Sequence, residues 1–283
     1  MKVNTMLLDT HLHMIYPDRL EYPWLSGVEA LNKPYRLDSY LRSAKRLGIT
    51  GCLHMEVDVA EAQIRDETAL VNELMGQSGG LMRGAISACR PENVDFPKLM
   101  EWAASKVEIL GFRRILHEMP DELSKTRLFR DNVKRLSGTG LTFDLCVLGR
   151  QLGLAAELVD HCPDVQFILD HCGVPDIKGG EFEGWAKGMS ALAERPNIIA
   201  KISGVIAYAD PDNWGLDDIR PYVEHTVQCF GHDRVIWGSD SPVCNLGGGL
   251  ETWVAAIRAL TDGWSKDDRS ALFQGNARAI WGL

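Results

Sequence analysis

Eight short apolar runs of strand length recur along the chain. They lie at 6–13 (MLLDTHLH), 51–59 (GCLHMEVDV), 80–87 (GLMRGAIS), 109–116 (ILGFRRIL), 141–148 (LTFDLCVL), 165–172 (VQFILDHC), 198–205 (IIAKISGV) and 234–243 (RVIWGSDSPV). Each is bounded by Gly, Pro, Asn or Asp, the residues that end strands. Between them the spacing turns helical. In LDSYLRSAKRLG, Leu37, Leu41, Ala44 and Leu47 share one face and Gly48 can close the carboxyl end. Alternating strands and helices predict βα units with right-handed crossovers, which bury a parallel sheet on both faces. Closure after eight units gives a single-domain (β/α)8 TIM barrel over 1–283. An open doubly wound sheet is the alternative, but it usually carries a glycine-rich phosphate turn after its first strand, and here that strand ends in histidines.

The longest connection leaving a strand, about 14–36, is rich in Pro and aromatic residues. Barrel active sites lie at the carboxyl ends of the strands, so this loop is expected to act as a lid. A packing insert that seals the barrel mouth is the other reading.

Charge narrows the choice of partners. With 39 acidic against 30 basic side chains and no Lys/Arg stripe, the surface is expected to repel a phosphate backbone, and nucleic acid is excluded as a partner. The apolar run before Asp9 is three residues long, too short for a signal-peptide core or a membrane span, so a cytoplasmic protein without membrane association is expected, as a monomer or homodimer. Seven cysteines without CxxC spacing read as reduced core thiols.

Three features carry chemistry. Strand alternation places Asp9, His11 and His13 on one face, with two imidazoles converging at the end of the first strand, where they suit a divalent metal or the polarisation of a substrate oxygen. His171 ends the apolar run QFILDHCGVP, either as a catalytic group or as a core ring oriented by Asp170. Asp240 in VIWGSDSP ends the last strand. A buried carboxylate there needs a metal, a histidine or a water, and general base is its expected role, with a helix cap as the competing one. Arg113, Arg114 and His117 at the fourth strand suit a carboxylate or a polyhydroxylated ring, although successive residues face opposite ways and at most one arginine should enter the barrel. Trp24 in the lid, Lys201, Ser203, Tyr208 and Trp214 are candidate pocket residues. Glu56 and Asp58 at the mouth of strand two suit either hydroxyl binding or helix capping.

The motifs HLH at strand one, ILDHCGVPD at strand six and WGSDSPVCNLGG at strand eight resemble the amidohydrolase superfamily, in its Amidohydrolase-2 branch, over nearly the whole chain. YPWL, GFRRILHEMPD and FDLCV are similar to its subgroup of sugar-lactone hydrolases, which includes fuconolactonase, rhamnonolactonase and pyrone-dicarboxylate lactonase. The resemblance implies that His11, His13 and Asp240 form the inner site and that His171 contacts the reacting carbonyl. The chain departs from the superfamily pattern in two places. FDLCVLGRQ lacks the strand-five histidine of a complete metal site, and strand four offers Arg113 and Arg114 instead of a bridging lysine, so a binuclear centre is not expected.

A single zinc on His11, His13 and Asp240 is compatible with this pattern but not required, since the subgroup includes metal-independent lactonases. No organic cofactor is expected. The resulting expectation is a hydrolase of carbohydrate metabolism that opens the lactone of a sugar acid or a related carboxylated ring. Asp240 activates water, and His171 with His11 or His13 polarises the carbonyl. A lactone isomerase, a zinc-dependent decarboxylase and a non-enzymatic sugar-acid binding barrel are the alternatives.

Overall fold

The structure is a computed structural model and describes residues 6–283. Its eight strands are β1 (Leu7–Leu12), β2 (Ile49–Met55), β3 (Met82–Ala88), β4 (Ile109–Ile115), β5 (Thr142–Cys146), β6 (Phe167–Leu169), β7 (Ile198–Ser203) and β8 (Val235–Gly238). They form one sheet in sequence order with every neighbouring pair parallel. β8 returns to β1 and closes the barrel: Thr10 Oγ1 donates to the Trp237 carbonyl (2.8 Å), the Asp240 N–H to the His11 carbonyl (2.8 Å) and the His13 N–H to the Ser241 carbonyl (2.7 Å). The principal helices around it are α1 (Leu37–Leu47), α2 (Ile64–Gln77), α3 (Phe96–Ala103), α4 (Arg127–Lys134), α5 (Leu152–His161), α6 (Glu183–Ala193), α7 (Leu216–Phe230) and α8 (Leu250–Leu260), followed by two short ones, α9 (Lys266–Ser270) and α10 (Asn276–Trp281). No helix among the described residues is long and apolar enough to cross a membrane.

The core divides in two. Most buried side chains lie between sheet and helices, whereas Leu8, Leu53, Met55, Ile86, Ile168, Ile199 and Ile236 form a separate cluster inside the barrel, stopped at its base by Ala277 and Trp281 of α10. Above that apolar floor the interior becomes polar, beginning with Thr142, whose hydroxyl accepts from the Trp281 indole (3.3 Å).

Strict alternation fails on β1. Asp9 pairs with Cys52 and Leu12 with His54, so three steps on β1 match two on β2, the signature of a bulge. Leu8 therefore enters the barrel while Asp9 turns outward to α1, where the Tyr40 hydroxyl donates to its Oδ2 (2.7 Å) and the Ser239 N–H to its Oδ1 (2.7 Å). The expected shared face of Asp9, His11 and His13 is corrected accordingly: only the two histidines point inward. Burial pushes the Asp9 carboxyl up to about 6 despite these donors. Tyr40→Phe removes one of them and is expected to destabilise the fold by about 1–3 kcal/mol, the cost of leaving a buried acceptor short of a partner, as read by urea titration.

Candidate active site

His11 occupies the middle of the barrel because β8 gives it room: a Cβ on Gly238 would stand 2.6 Å from the His11 Cβ. Beneath it lies a buried ionic cluster. Lys201 of β7 donates through Nζ to Asp144 of β5 (2.6 Å) and to Asp170 at the end of β6 (2.8 Å), and His11 Nδ1 lies 3.4 Å from that same Asp170 oxygen. Burial alone would discharge these groups. The charge of Lys201 and the hydrogen bond with His11 instead hold Asp170 well below the usual carboxylate range, and the two carboxylates hold Lys201 above its ordinary value.

His11 Nε2 faces the Arg113 guanidinium at 3.3 Å. Arg113 is itself fastened, its Nε donating to Glu56 Oε1 (2.6 Å) and its NH2 to the Glu56 carbonyl (2.8 Å). Arg113 can only donate, so His11 Nε2 acts as acceptor and the ring proton sits on Nδ1, which stands 3.4 Å from both Asp170 Oδ1 and Lys201 Nζ; with Nζ donating to its two nearer carboxylates, Asp170 is the acceptor that Nδ1 meets. His13 behaves alike: its Nδ1 donates to the Met55 carbonyl (3.0 Å), which leaves the Nε2 lone pair aimed at Asp240 Oδ1 at 3.3 Å. Burial keeps both rings neutral, lowering His13 to about 3 and His11 well below its ordinary value.

Asp240 and His171 frame the opening. Both have left-handed backbone (φ 58° and 54°), a strained state for residues with a Cβ and one that clusters at functional sites. Asp240 is 1% exposed, and neither of its carboxylate oxygens has a hydrogen-bond partner among the described residues. Burial pushes its carboxyl up to about 6. His171 lies 3.7 Å from Asp240 Oδ2 and is lowered by burial. Ser203 Oγ accepts the His171 backbone N–H (3.3 Å) and stands 2.9 Å from its Nδ1.

A pocket of about 540 Å3 opens over these groups. His13, Arg113, His171, Asp240, Trp24, His117 and Tyr208 all line it. The Trp24 indole donates to the Val57 carbonyl (2.8 Å), tying the first loop over the mouth, and the Tyr208 ring packs edge-on against His171 (5.8 Å between centroids). Arg114 turns away and pairs with Glu92 (2.6 Å), so it is not in the pocket. Val28, Val57, Ile115, Cys146 and Val243 complete an apolar wall, and Asp58 and Glu118 stand at the rim. A larger surface groove of about 830 Å3, bordered by Trp185, contains none of the histidines and no part of Asp240.

The donor set fits one divalent ion, which would take the His11 Nε2 lone pair in place of Arg113 NH1. His11, His13 and Asp240 offer ligand atoms within 4.8 Å of one another, and the acceptor-to-acceptor contact between His13 Nε2 and Asp240 Oδ1 calls for a proton or a cation between them. Of the groups beneath the site, Asp144 is absent from the sequence reading and Lys201 is placed there only as a pocket residue. The available signal is a charged residue in an apolar strand, FDLC and IAKIS, since a buried Lys must meet a buried acid.

Comparison with known proteins follows the same geometry. The sequence model of the Amidohydrolase family matches residues 8–283. An uncharacterised protein of Sinorhizobium fredii is 31% identical over 293 residues, spanning 97% of this chain and 98% of its own length. An L-fucono-1,5-lactonase of Burkholderia multivorans is 27% identical over 323 residues, spanning 99% and 97% respectively. Among solved structures, an amidohydrolase from Burkholderia multivorans with bound zinc shares the fold with a TM-score of 0.87 at 24% identity, over 98% of this chain and 99% of that one.

Proposed function

The chain belongs to the Amidohydrolase family, and on that premise we propose that it is a hydrolase opening the ring of an uncharged sugar lactone. One observation carries the chemistry: a buried carboxylate, Asp240, with both oxygens free of hydrogen bonds among the described residues, stands between two imidazoles at the floor of a pocket. The similarity to a lactonase over almost the full length supports the reaction class.

Ionised Asp240 takes a proton from water as its oxygen bonds to the lactone carbonyl carbon. His171 Nδ1 faces the Ser203 hydroxyl at 2.9 Å and the Ser203 carbonyl at 3.3 Å; in the tautomer in which the nearer hydroxyl donates to Nδ1, the ring proton is on Nε2 and polarises the carbonyl oxygen. Collapse of the tetrahedral intermediate breaks the ring C–O bond, and the departing alkoxide recovers the proton held by Asp240. The product acid ionises, so each turnover releases one proton. Where a divalent ion is held by His11, His13 and Asp240, it supplies Lewis acidity to the same carbonyl.

The uncharged character of the substrate follows from what the pocket lacks. Arg113 is engaged by Glu56 with Asp170 3.5 Å from its NH1, Arg114 by Glu92, and Arg90 by Asp58, while Glu118 adds negative charge at the rim. This departs from the carboxylated ring admitted by the sequence, because the arginines expected to receive a carboxylate already hold one. In a matched pair of lactones that differ only in a methyl or hydroxymethyl group against a carboxylate, kcat/KM for the neutral member is expected to be higher by roughly tenfold or more, and Glu118→Gln should narrow the gap. A preference for the carboxylated member would overturn the assignment.

A further inference from the structure

We propose that Lys201 is a positioning residue for this site, the fixed cation that holds Asp170 beneath His11 and thereby sets the ring's orientation and tautomer. The proposal builds on the hydrolytic reading above but is tested by an observable that needs no substrate. Lys201 and Asp144 lie one layer below the pocket, are 0% exposed and do not line it, so neither can serve as a direct substrate contact.

Their arrangement is specific. Nζ bridges Asp144 Oδ2 (2.6 Å) and Asp170 Oδ1 (2.8 Å), drawing onto one centre two carboxylates from β5 and β6 that would otherwise repel each other. The bridged Asp170 oxygen is the one that faces His11 Nδ1 at 3.4 Å. From the other side Arg113 NH1 faces Nε2 at 3.3 Å. Lys201 Nζ itself stands 3.4 Å from Nδ1, but its nearer partners are the two carboxylates, so the group that Nδ1 meets below is the Asp170 acceptor, with the Arg113 donor above; the neutral tautomer that suits both has its proton on Nδ1 and its lone pair on Nε2. Buried charges of this kind are costly without pairing, so a lysine spent entirely beneath the reacting groups needs a role, and orientation of an inward-facing histidine provides one.

The test uses 15N-histidine-labelled full-length protein after chelation, read by long-range 1H–15N correlation. Wild type is expected to give His11 as a neutral ring protonated on Nδ1. A proton on Nε2 would overturn the proposal without any variant. Lys201→Met combined with Asp144→Asn removes one buried charge of each sign, so that folding, checked by circular dichroism, is preserved. In this variant the His11 15N shifts should move toward a tautomer average, with kcat down roughly 10- to 100-fold and KM little changed, the usual scale for losing an outer partner of a site histidine. A folded variant with unchanged His11 shifts, or with shifted resonances and wild-type kcat, would refute the positioning role. If wild type opens no lactone, the reaction assignment fails while the tautomer result still decides this inference. If Lys201→Met/Asp144→Asn does not fold, Lys201→Arg, which keeps the cation but moves its hydrogen bonds, decides it: displaced His11 shifts with lowered kcat are expected, and unchanged shifts with wild-type kcat would refute the positioning role.

Discussion

Asp240→Asn is expected to lower kcat by roughly 10²- to 10⁴-fold with little change in KM, because it deletes the proposed general base and keeps the shape of the side chain. Near-normal turnover would remove Asp240 from the mechanism. The same substitution should stabilise the fold above neutrality. Burial raises the Asp240 carboxyl from 3.8 to about 6, so its favourable contribution to stability is complete below pH 3.8 and is lost as pH rises through 6. At pH 8 the charged form costs roughly 2–3 kcal/mol, taken from that shift of about two units, and the Asn variant lacks this cost. Its Tm should therefore exceed that of wild type at pH 8, with the difference closing near pH 4. The same shift predicts that kcat/KM of the chelated enzyme climbs with pH and levels off above about 6, as Asp240 becomes competent to accept a proton.

Gly204→Ala is expected to damage both the fold and the site. Gly204 has φ 56°, and a Cβ there would overlap Oδ2, Cγ and Cβ of Asp240, whose carboxylate is anchored to a strained backbone of its own. Left-handed geometry in a residue with a Cβ costs about 1–2 kcal/mol, and overpacking adds about 1–3 kcal/mol. Part of this would be relieved by pushing the Asp240 side chain out of position, so kcat should fall with Tm. A variant that melts earlier but keeps wild-type kcat would show that the carboxylate tolerates displacement.

Most of this architecture is legible along the chain. All eight strands fall within or overlap the apolar runs, and Gly48 closes α1 in a left-handed conformation (φ 76°). The inward histidines follow from ending β1, as His171 and Asp240 follow from ending β6 and β8, because strand ends are marked by local composition. The outward turn of Asp9 is not legible: it depends on a bulge set by register with β2 and by closure onto β8, which are contacts distant in sequence. The partition of Arg113 from Arg114 is foreseeable as an alternation but not as an assignment, since the acids that receive them, Glu56 and Glu92, come from other loops. The Lys201 cluster joins strands β5, β6 and β7, and only the folded sheet brings its members to one point. The proposed preference for an uncharged ring likewise rests on which charges are already paired, and a linear sequence does not record that.

The most direct measurement is proton release by the purified protein from a panel of neutral aldonolactones, with and without exhaustive chelation. Ring opening of at least one neutral lactone in both states is the predicted result, since the proposed base and carbonyl donor are Asp240 and His171. Activity lost on chelation and restored by zinc would contradict the donor role given to His171, and failure to open any lactone in either state would contradict the proposed function itself.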